Sequence, residues 1–167
     1  MLITCSYIRP TRNTKMVARN ITNAGSMKLI GKFPSLKMGR IVWYESLLER
    51  DYMYLLEIDP EVISYREQPF RIRYFLAGKN RRYTPDLLIH RRCGEYVVEV
   101  KPKKKAMEQK YLVLFRIAAQ ICQQKGYKFH IATDVIIRNQ PRLNTVKFLY
   151  KYARTPISPQ HQIYCHE

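Results

Sequence analysis

The segment over residues 83–105 limits the possible folds of this chain more than any other stretch. In residues 83–90 apolar side chains alternate with mostly polar ones, and a second alternating run covers residues 96–101. Such alternation is typical of β-strands, whose successive side chains point to opposite faces. A turn at residues 91–94, which ends in glycine, connects the two runs. The segment therefore predicts a β-hairpin.

Asp86 and Glu99 lie on the two predicted strands, and Glu99 shares one face of its strand with Lys101. If the strands pair side by side, the two carboxylates come close together beside an ammonium group. Two carboxylates and a backbone carbonyl, here that of Val100, are hard oxygen ligands that suit Mg²⁺, with Mn²⁺ as a substitute. A lysine beside them can orient or help deprotonate an attacking water and offset the charge on a phosphorane. The hairpin thus predicts a metal site next to a lysine; the alternative is an amphipathic hairpin whose polar face is solvated.

The charge of the chain points to its partner. It carries 30 Lys and Arg residues against 13 Asp and Glu, a formal net charge of +17. Such an excess indicates a polyanion, either nucleic acid or an anionic membrane surface. No apolar run approaches the ~18 residues of a membrane span, and the first residues lack the apolar core of a signal peptide. We therefore expect a soluble, cytoplasmic protein that has no membrane segment and binds one of these polyanions.

The distribution of charge divides the chain into three parts. Residues 1–38 contain no acidic side chain, which predicts a basic N-terminal arm that contacts DNA phosphates or is a solvated leader. Residues 39–154 carry the periodic apolar pattern of a folded domain, and residues 155–167, with two prolines, resemble a tail or linker. A lysine run after the hairpin predicts a phosphate-binding patch or a solvated helix start. The predicted DNA contacts are Arg9, Arg12, Arg19, Lys103, Lys104 and Lys105.

Apolar spacing predicts the remaining elements. Helices are expected over residues 39–58 and 105–124, with shorter ones at 134–137 and 143–152. Strands are expected over residues 71–76 and 128–132, and residues 61–70 form a loop or a short strand. The resulting order predicts an α/β fold in which helices flank a mixed central sheet.

Glu45 and Glu49 lie one turn apart on the first predicted helix. A carboxylate that faces a sheet is costly unless it is paired or bound to a metal, so either glutamate is a candidate site residue. The alternative is that both are exposed and pair with nearby Lys and Arg side chains.

The order of helix, P-D strand, E-V-K strand, helix and strand resembles the PD-(D/E)XK nuclease superfamily, which has the restriction-endonuclease-like fold. From about residue 31 to residue 154 the match is narrower. The runs E-R-D, L-L-E-x-D-P-x-V, Q-P-F, P-D and E-V-K-P resemble the N-terminal catalytic domain of TnsA-type transposon endonucleases. By this resemblance Asp86, Glu99 and Lys101 occupy the family's strand positions and Glu49 is the helical acid. Glu45 is then the second choice for the helical acid, and Gln68 is a supporting residue.

The resemblance implies a Mg²⁺-dependent endonuclease that cleaves the 5′ ends of a transposon and so frees the non-transferred strands. It also implies a DDE transposase partner of the TnsB type, which cuts and joins the 3′ ends, and an AAA+ regulator of the TnsC type. Two alternatives remain: another PD-(D/E)XK nuclease, of a phage or a defence system, and a non-catalytic DNA-binding assembly module.

Overall fold

The computed structural model describes residues 30–153. The predicted contacts Arg9, Arg12 and Arg19 lie outside the described residues, as do residues 1–29 and the predicted tail. In chain order, the elements are β1 (Gly31–Ser35), β2 (Arg40–Tyr44), α1 (Leu47–Ile58), β3 (Val62–Glu67), β4 (Ile72–Leu76), β5 (Lys79–Tyr83), β6 (Leu87–Arg91), β7 (Gly94–Val100), α2 (Lys103–Ala106), α3 (Gln109–Gln124), β8 (Lys128–Ala132), α4 (Asp134–Ile137) and α5 (Arg142–Ala153).

The central sheet has four strands in the order β3-β6-β7-β8. β6 is antiparallel to β3 and β7, whereas β8 is parallel to β7, so the sheet is mixed as predicted. Side chains alternate between the two faces of the sheet, and apolar side chains on each face pack against helices. Val98 and Val100 pack with α1 and α5 on one face, and Val97 packs with α3 on the other. This arrangement confirms the α/β, restriction-endonuclease-like fold class.

Residues 31–46 differ from the prediction. The helix expected from residue 39 begins only at Leu47, and residues 40–44 pair with β1 as an antiparallel hairpin. The run Ile-Val-Trp-Tyr is β-branched and aromatic, which favours a strand. Gly39 takes a positive φ of 59° in the turn between the two strands. Phe33, assigned above to the basic arm, is 2% exposed and stacks on Tyr150. The folded part therefore begins before residue 39.

Two other boundaries move. The strand predicted from residue 83 is divided, because Tyr83 ends β5 and the sheet strand begins at Leu87. Pro85, between them, has no N–H for a ladder. The helix predicted over residues 105–124 is two helices, α2 and α3, since Glu108 adopts extended backbone angles. Residues 62–67 form a strand, and the predicted elements that correspond to β4, β8, α4 and α5 are confirmed within a residue or two.

Asp51 joins α1 to the C-terminal helices. Its buried carboxylate accepts a hydrogen bond from Arg138 Nε at 2.9 Å and pairs with Lys147 Nζ at 2.6 Å. Burial alone would raise the pKa of Asp51, but the hydrogen bonds from Lys147 and Arg138 outweigh it and lower that pKa. The charge of Asp51 is thus held by two cations from α5 and the end of α4.

Within residues 30–153, no helix combines the length and the apolar character needed to cross a membrane.

Candidate active site

The predicted site residues meet at one end of the central sheet. Asp86 directly precedes β6, Glu99 is the penultimate residue of β7, and Lys101 follows that strand. β6 and β7 pair in the register Leu87↔Val98, which places Asp86 opposite the end of β7. Glu49 reaches the same place from the first turn of α1. The fold therefore brings Asp86, Glu99, Lys101 and Glu49 together, as the sequence predicts.

Asp86 is fixed by the backbone of the neighbouring strand. Its Oδ2 accepts a hydrogen bond from Val100 N at 2.7 Å, and its carbonyl accepts one from Gln68 N at 2.8 Å. Burial raises the pKa of Asp86 well above its usual range, and the charges of Glu99 and Glu49 raise it further. The hydrogen bond from Val100 and the charge of Lys101 oppose that rise only in part. When Asp86, Glu99 and Glu49 are all deprotonated, their repulsion therefore favours the binding of a further cation.

Glu99 is 3% exposed and has two side-chain partners. Its Oε1 accepts a hydrogen bond from Lys101 Nζ, and its Oε2 accepts one from the Tyr83 hydroxyl at 2.6 Å. The Lys101 ammonium also lies 4.5 Å from the centroid of the Tyr111 ring. Burial lowers the pKa of Lys101, but the charges of Glu99 and Asp86 outweigh it and raise that pKa. The neighbouring carboxylates thus favour the protonated form of Lys101, which is suited to stabilising negative charge.

Glu49 and Glu45 both reach the site but differ in their contacts. Glu49 Oε1 accepts a hydrogen bond from the Ser46 hydroxyl at 2.8 Å, and its Oε2 accepts one from Glu45 N at 2.9 Å. Burial raises the pKa of Glu49, and the charges of Glu45 and Glu99 add to the rise. Glu45 Oε1 instead accepts a hydrogen bond from Gln68 Nε2 at 2.6 Å. Glu49 thus interacts electrostatically with both strand carboxylates.

Gln68 links the two halves of the site. It is one of two described non-glycine residues with a positive φ, here 41°, a conformation that is costly for such a residue. In this conformation its N–H reaches the carbonyl of Asp86 while its side chain reaches Glu45. Gln68 thus connects the residue pair Glu45 and Asp86, and its supporting role stays a prediction.

A divalent cation fits the chemistry of these side chains. Three carboxylates, those of Glu49, Asp86 and Glu99, interact in a partly buried space that holds one ammonium, that of Lys101. Hard oxygen donors with excess negative charge are what Mg²⁺ and Mn²⁺ prefer. In the arrangement described for residues 30–153, however, no three acidic, histidine or cysteine side chains are disposed as a metal-ligand set. The hydrogen bonds of Glu99 to Lys101 and Tyr83 engage oxygens that a metal would use.

The lysine run predicted to bind phosphate is exposed beside the site. Lys103, Lys104 and Lys105 form most of α2, which begins two residues after Lys101. Sequence reasoning did not identify Tyr83 as a partner of Glu99. The one available signal was its position three residues before Asp86, at the start of the same predicted strand.

A mixed sheet flanked by helices, with acidic residues and a lysine at one end of adjacent strands, defines a restriction-endonuclease-like nuclease fold. Residues 59–134 match the family model described as TnsA-like endonuclease N terminal, so this part of the chain is similar to that domain. The match confirms the resemblance and supports a nuclease of the transposase type. It includes Asp86, Glu99 and Lys101, but it begins after Glu45 and Glu49. No curated protein matches the chain.

Proposed function

We propose that this protein is the metal-dependent DNA endonuclease subunit of a heteromeric transposase, and that it cleaves the 5′ ends of a transposon. The observation that carries the proposal is the convergence of Glu49 with Asp86, Glu99 and Lys101, the last three of which lie within the TnsA-like match. Cleavage at these ends frees the non-transferred strands.

The side chains divide the work by charge. Asp86, Glu99, Glu49 and the Val100 carbonyl would hold Mg²⁺, or Mn²⁺ in its place, which supplies Lewis-acid stabilisation of the attacking and leaving oxygens. Lys101, protonated beside Glu99, orients the attacking water and offsets the negative charge that develops on the phosphorane. The hydrogen bond from Tyr83 fixes the carboxylate of Glu99 while this happens.

DNA binding and the choice of sequence have separate sources in this proposal. Lys103, Lys104 and Lys105 hold the phosphate backbone beside the scissile bond, and Arg9, Arg12 and Arg19 of the basic arm contact it elsewhere. Such contacts position DNA without reading its bases. The cleavage position is therefore set by a DDE transposase partner of the TnsB type bound to the transposon ends. An AAA+ regulator of the TnsC type would be a further partner.

The test is a cleavage assay on labelled transposon-end DNA with Mg²⁺ or Mn²⁺, in the presence and absence of the partner transposase. We expect 5′-strand cuts only with the partner, no cuts by Asp86→Ala, and a rate about 10²–10³-fold lower for Lys101→Ala. The matched control is Arg92→Ala, which removes an exposed cation from the opposite end of β6 and β7.

Robust cutting without the partner and with an intrinsic sequence preference would instead indicate another PD-(D/E)XK nuclease. DNA binding without any cleavage under all of these conditions would indicate a non-catalytic assembly module.

A further inference from the structure

The hairpin formed by β4 and β5 is strongly basic. Residues 71–83 include no acidic side chain and five basic ones, which are Arg71, Arg73, Lys79, Arg81 and Arg82. All five are exposed. This hairpin was not among the predicted DNA contacts, because its charges are divided between two strands in the sequence and come together only when the strands pair.

The register of the hairpin places like charges opposite each other. Arg73 pairs directly with Arg82, and Phe75 pairs with Asn80 on the same face. The four side chains are exposed, Phe75 by 57%. Like charges in direct cross-strand pairs destabilise a sheet. No acidic side chain within residues 30–153 forms an ion pair with Arg73 or Arg82. The stability of the hairpin therefore does not explain why Arg73 lies opposite Arg82. A polyanion bound to this face would neutralise the repulsion between them.

The opposite face of the hairpin holds it against the site. Ile72 is 1% exposed and packs with Val97 and Ala118, and Tyr74 and Tyr83 pack against the same cluster. Tyr83 also donates its hydroxyl hydrogen bond to Glu99. Because Arg82 directly precedes Tyr83, the basic face begins one residue from a side chain that contacts the site.

We propose that this outer face binds the phosphate backbone of duplex DNA next to the scissile phosphate, with Arg73 and Arg82 as its central contacts. The inference rests on the nuclease function proposed above and assigns it a second DNA-binding surface. A five-residue strand is about 17 Å long, and phosphates advance about 3.4 Å along the duplex axis per strand. The face therefore spans about five base pairs on one side of the cut. Duplex DNA fits it better than a membrane surface does, because Phe75 is the one large apolar side chain on that face.

The experiment compares full-chain variants in a duplex-binding assay without divalent metal, over about 50–200 mM monovalent salt. Arg73→Gln/Arg82→Gln removes the proposed contacts. Arg92→Gln/Lys125→Gln removes the same charge from exposed positions near the other end of β7. Each lost phosphate contact lowers the slope of log Kd against log salt by about 0.9. We expect the slope of the hairpin variant to be about 1.8 smaller than that of the wild type. Between the lowest and the highest salt concentration, the Kd of the variant should then increase by a factor about tenfold smaller than the Kd of the wild type does. The control should keep the wild-type slope.

Two further variants separate the possible causes. Arg73→Lys/Arg82→Lys keeps both charges and should retain most of the slope, which excludes a folding defect as the cause of the loss. Asp86→Ala should bind with the wild-type slope although it does not cut. If neither the wild type nor any variant cuts but the hairpin slope still falls, the nuclease proposal fails; the duplex contact through Arg73 and Arg82 then stands, but its position beside a scissile phosphate does not. This inference is wrong if the wild type cuts DNA while Arg73→Gln/Arg82→Gln binds with the wild-type salt slope. It is also wrong if the control Arg92→Gln/Lys125→Gln lowers the salt slope as much as the hairpin variant does.

Discussion

Asp51→Asn tests how α1, and with it Glu49, is held in place. The substitution keeps the size of the side chain but removes a charge that lies 2.9 Å from Arg138 Nε and 2.6 Å from Lys147 Nζ, with Arg50 as a weaker partner at 3.5 Å. A hydrogen bond to a charged group contributes roughly 1.5–3 kcal/mol when it is buried. Here the partners keep contact with water, since the side chains of Arg138 and Lys147 are 48% and 30% exposed. We therefore reduce each bond to about 1 kcal/mol.

The expected loss is about 2 kcal/mol, which for a domain of this size lowers the Tm by about 8 °C. The difference should depend on pH in a defined direction. Because the folded-state pKa of Asp51 is lowered, its charge stabilises the fold above the unfolded-state pKa, near 3.9, and that stabilisation is lost as the pH falls through the folded-state pKa. The difference between wild type and variant should therefore shrink as the solution is acidified.

The assay is thermal unfolding followed by circular dichroism at low ionic strength, at about pH 7 and about pH 2. The control is Glu108→Gln, which breaks a 2.8 Å ion pair with Lys110 on the surface, where we expect a Tm change of no more than about 2 °C. A Tm for Asp51→Asn within about 2 °C of wild type at neutral pH would refute the reasoning, as would a difference that persisted unchanged in acid.

Three further predictions concern the site and the start of the fold. Asp86→Asn should raise the Tm of the protein in EDTA, because it removes a carboxylate that burial and the charges of Glu99 and Glu49 destabilise. Because the folded-state pKa of Asp86 is raised, the increase in Tm should be absent below the unfolded-state pKa and should grow as the pH rises through the folded-state pKa. A Tm for Asp86→Asn below that of the wild type at neutral pH would contradict this prediction. Mg²⁺ at ten times its Kd should stabilise the wild type by about 1.4 kcal/mol and Asp86→Asn by much less, with equal ionic strength of KCl as the control. Phe33→Ala should cost about 3–5 kcal/mol in urea unfolding, whereas Leu36→Ala, at a position 45% exposed, should cost far less; equal costs would place β1 outside the core.

Most of the central sheet can be predicted from local sequence patterns. The alternation of residues 96–100 and the glycine at position 94 determine β7 and its turn, and Gly126 ends the helix before β8. Asp86, Glu99 and Lys101 could be placed together because only one turn separates their strands, so the register follows from the hairpin itself. Contacts between sequence neighbours of this kind leave few alternative arrangements.

Contacts between distant segments were not predictable in the same way. The run at residues 41–44 satisfies helical spacing as well as a strand, and its pairing with β1, where Phe33 faces Val42, decides for the strand. Tyr83 meets Glu99 only because the β4–β5 hairpin packs against α3. Gln68 meets Glu45 only through its left-handed backbone.

One local signal was available and unused. Ser46 and Glu49 form the S-x-x-E sequence pattern of a capping box. The N-cap serine accepts a hydrogen bond from Glu49 N, and the glutamate accepts one from Glu45 N, the residue before the N-cap. That pattern marks the start of α1 and places Glu49 in its first turn. It would also have corrected the predicted helix start at residue 39.

The carboxylate cluster has a consequence for how such a protein evolves. A mutation that neutralises Asp86 or Glu49 relieves electrostatic repulsion, so the inactive protein should fold more stably than the active one. Random mutation and selection for folding alone would then favour loss of the acids, and only selection for cleavage would preserve them. In a lineage freed from that selection, we expect the sheet and its apolar faces to persist long after the acidic residues have disappeared.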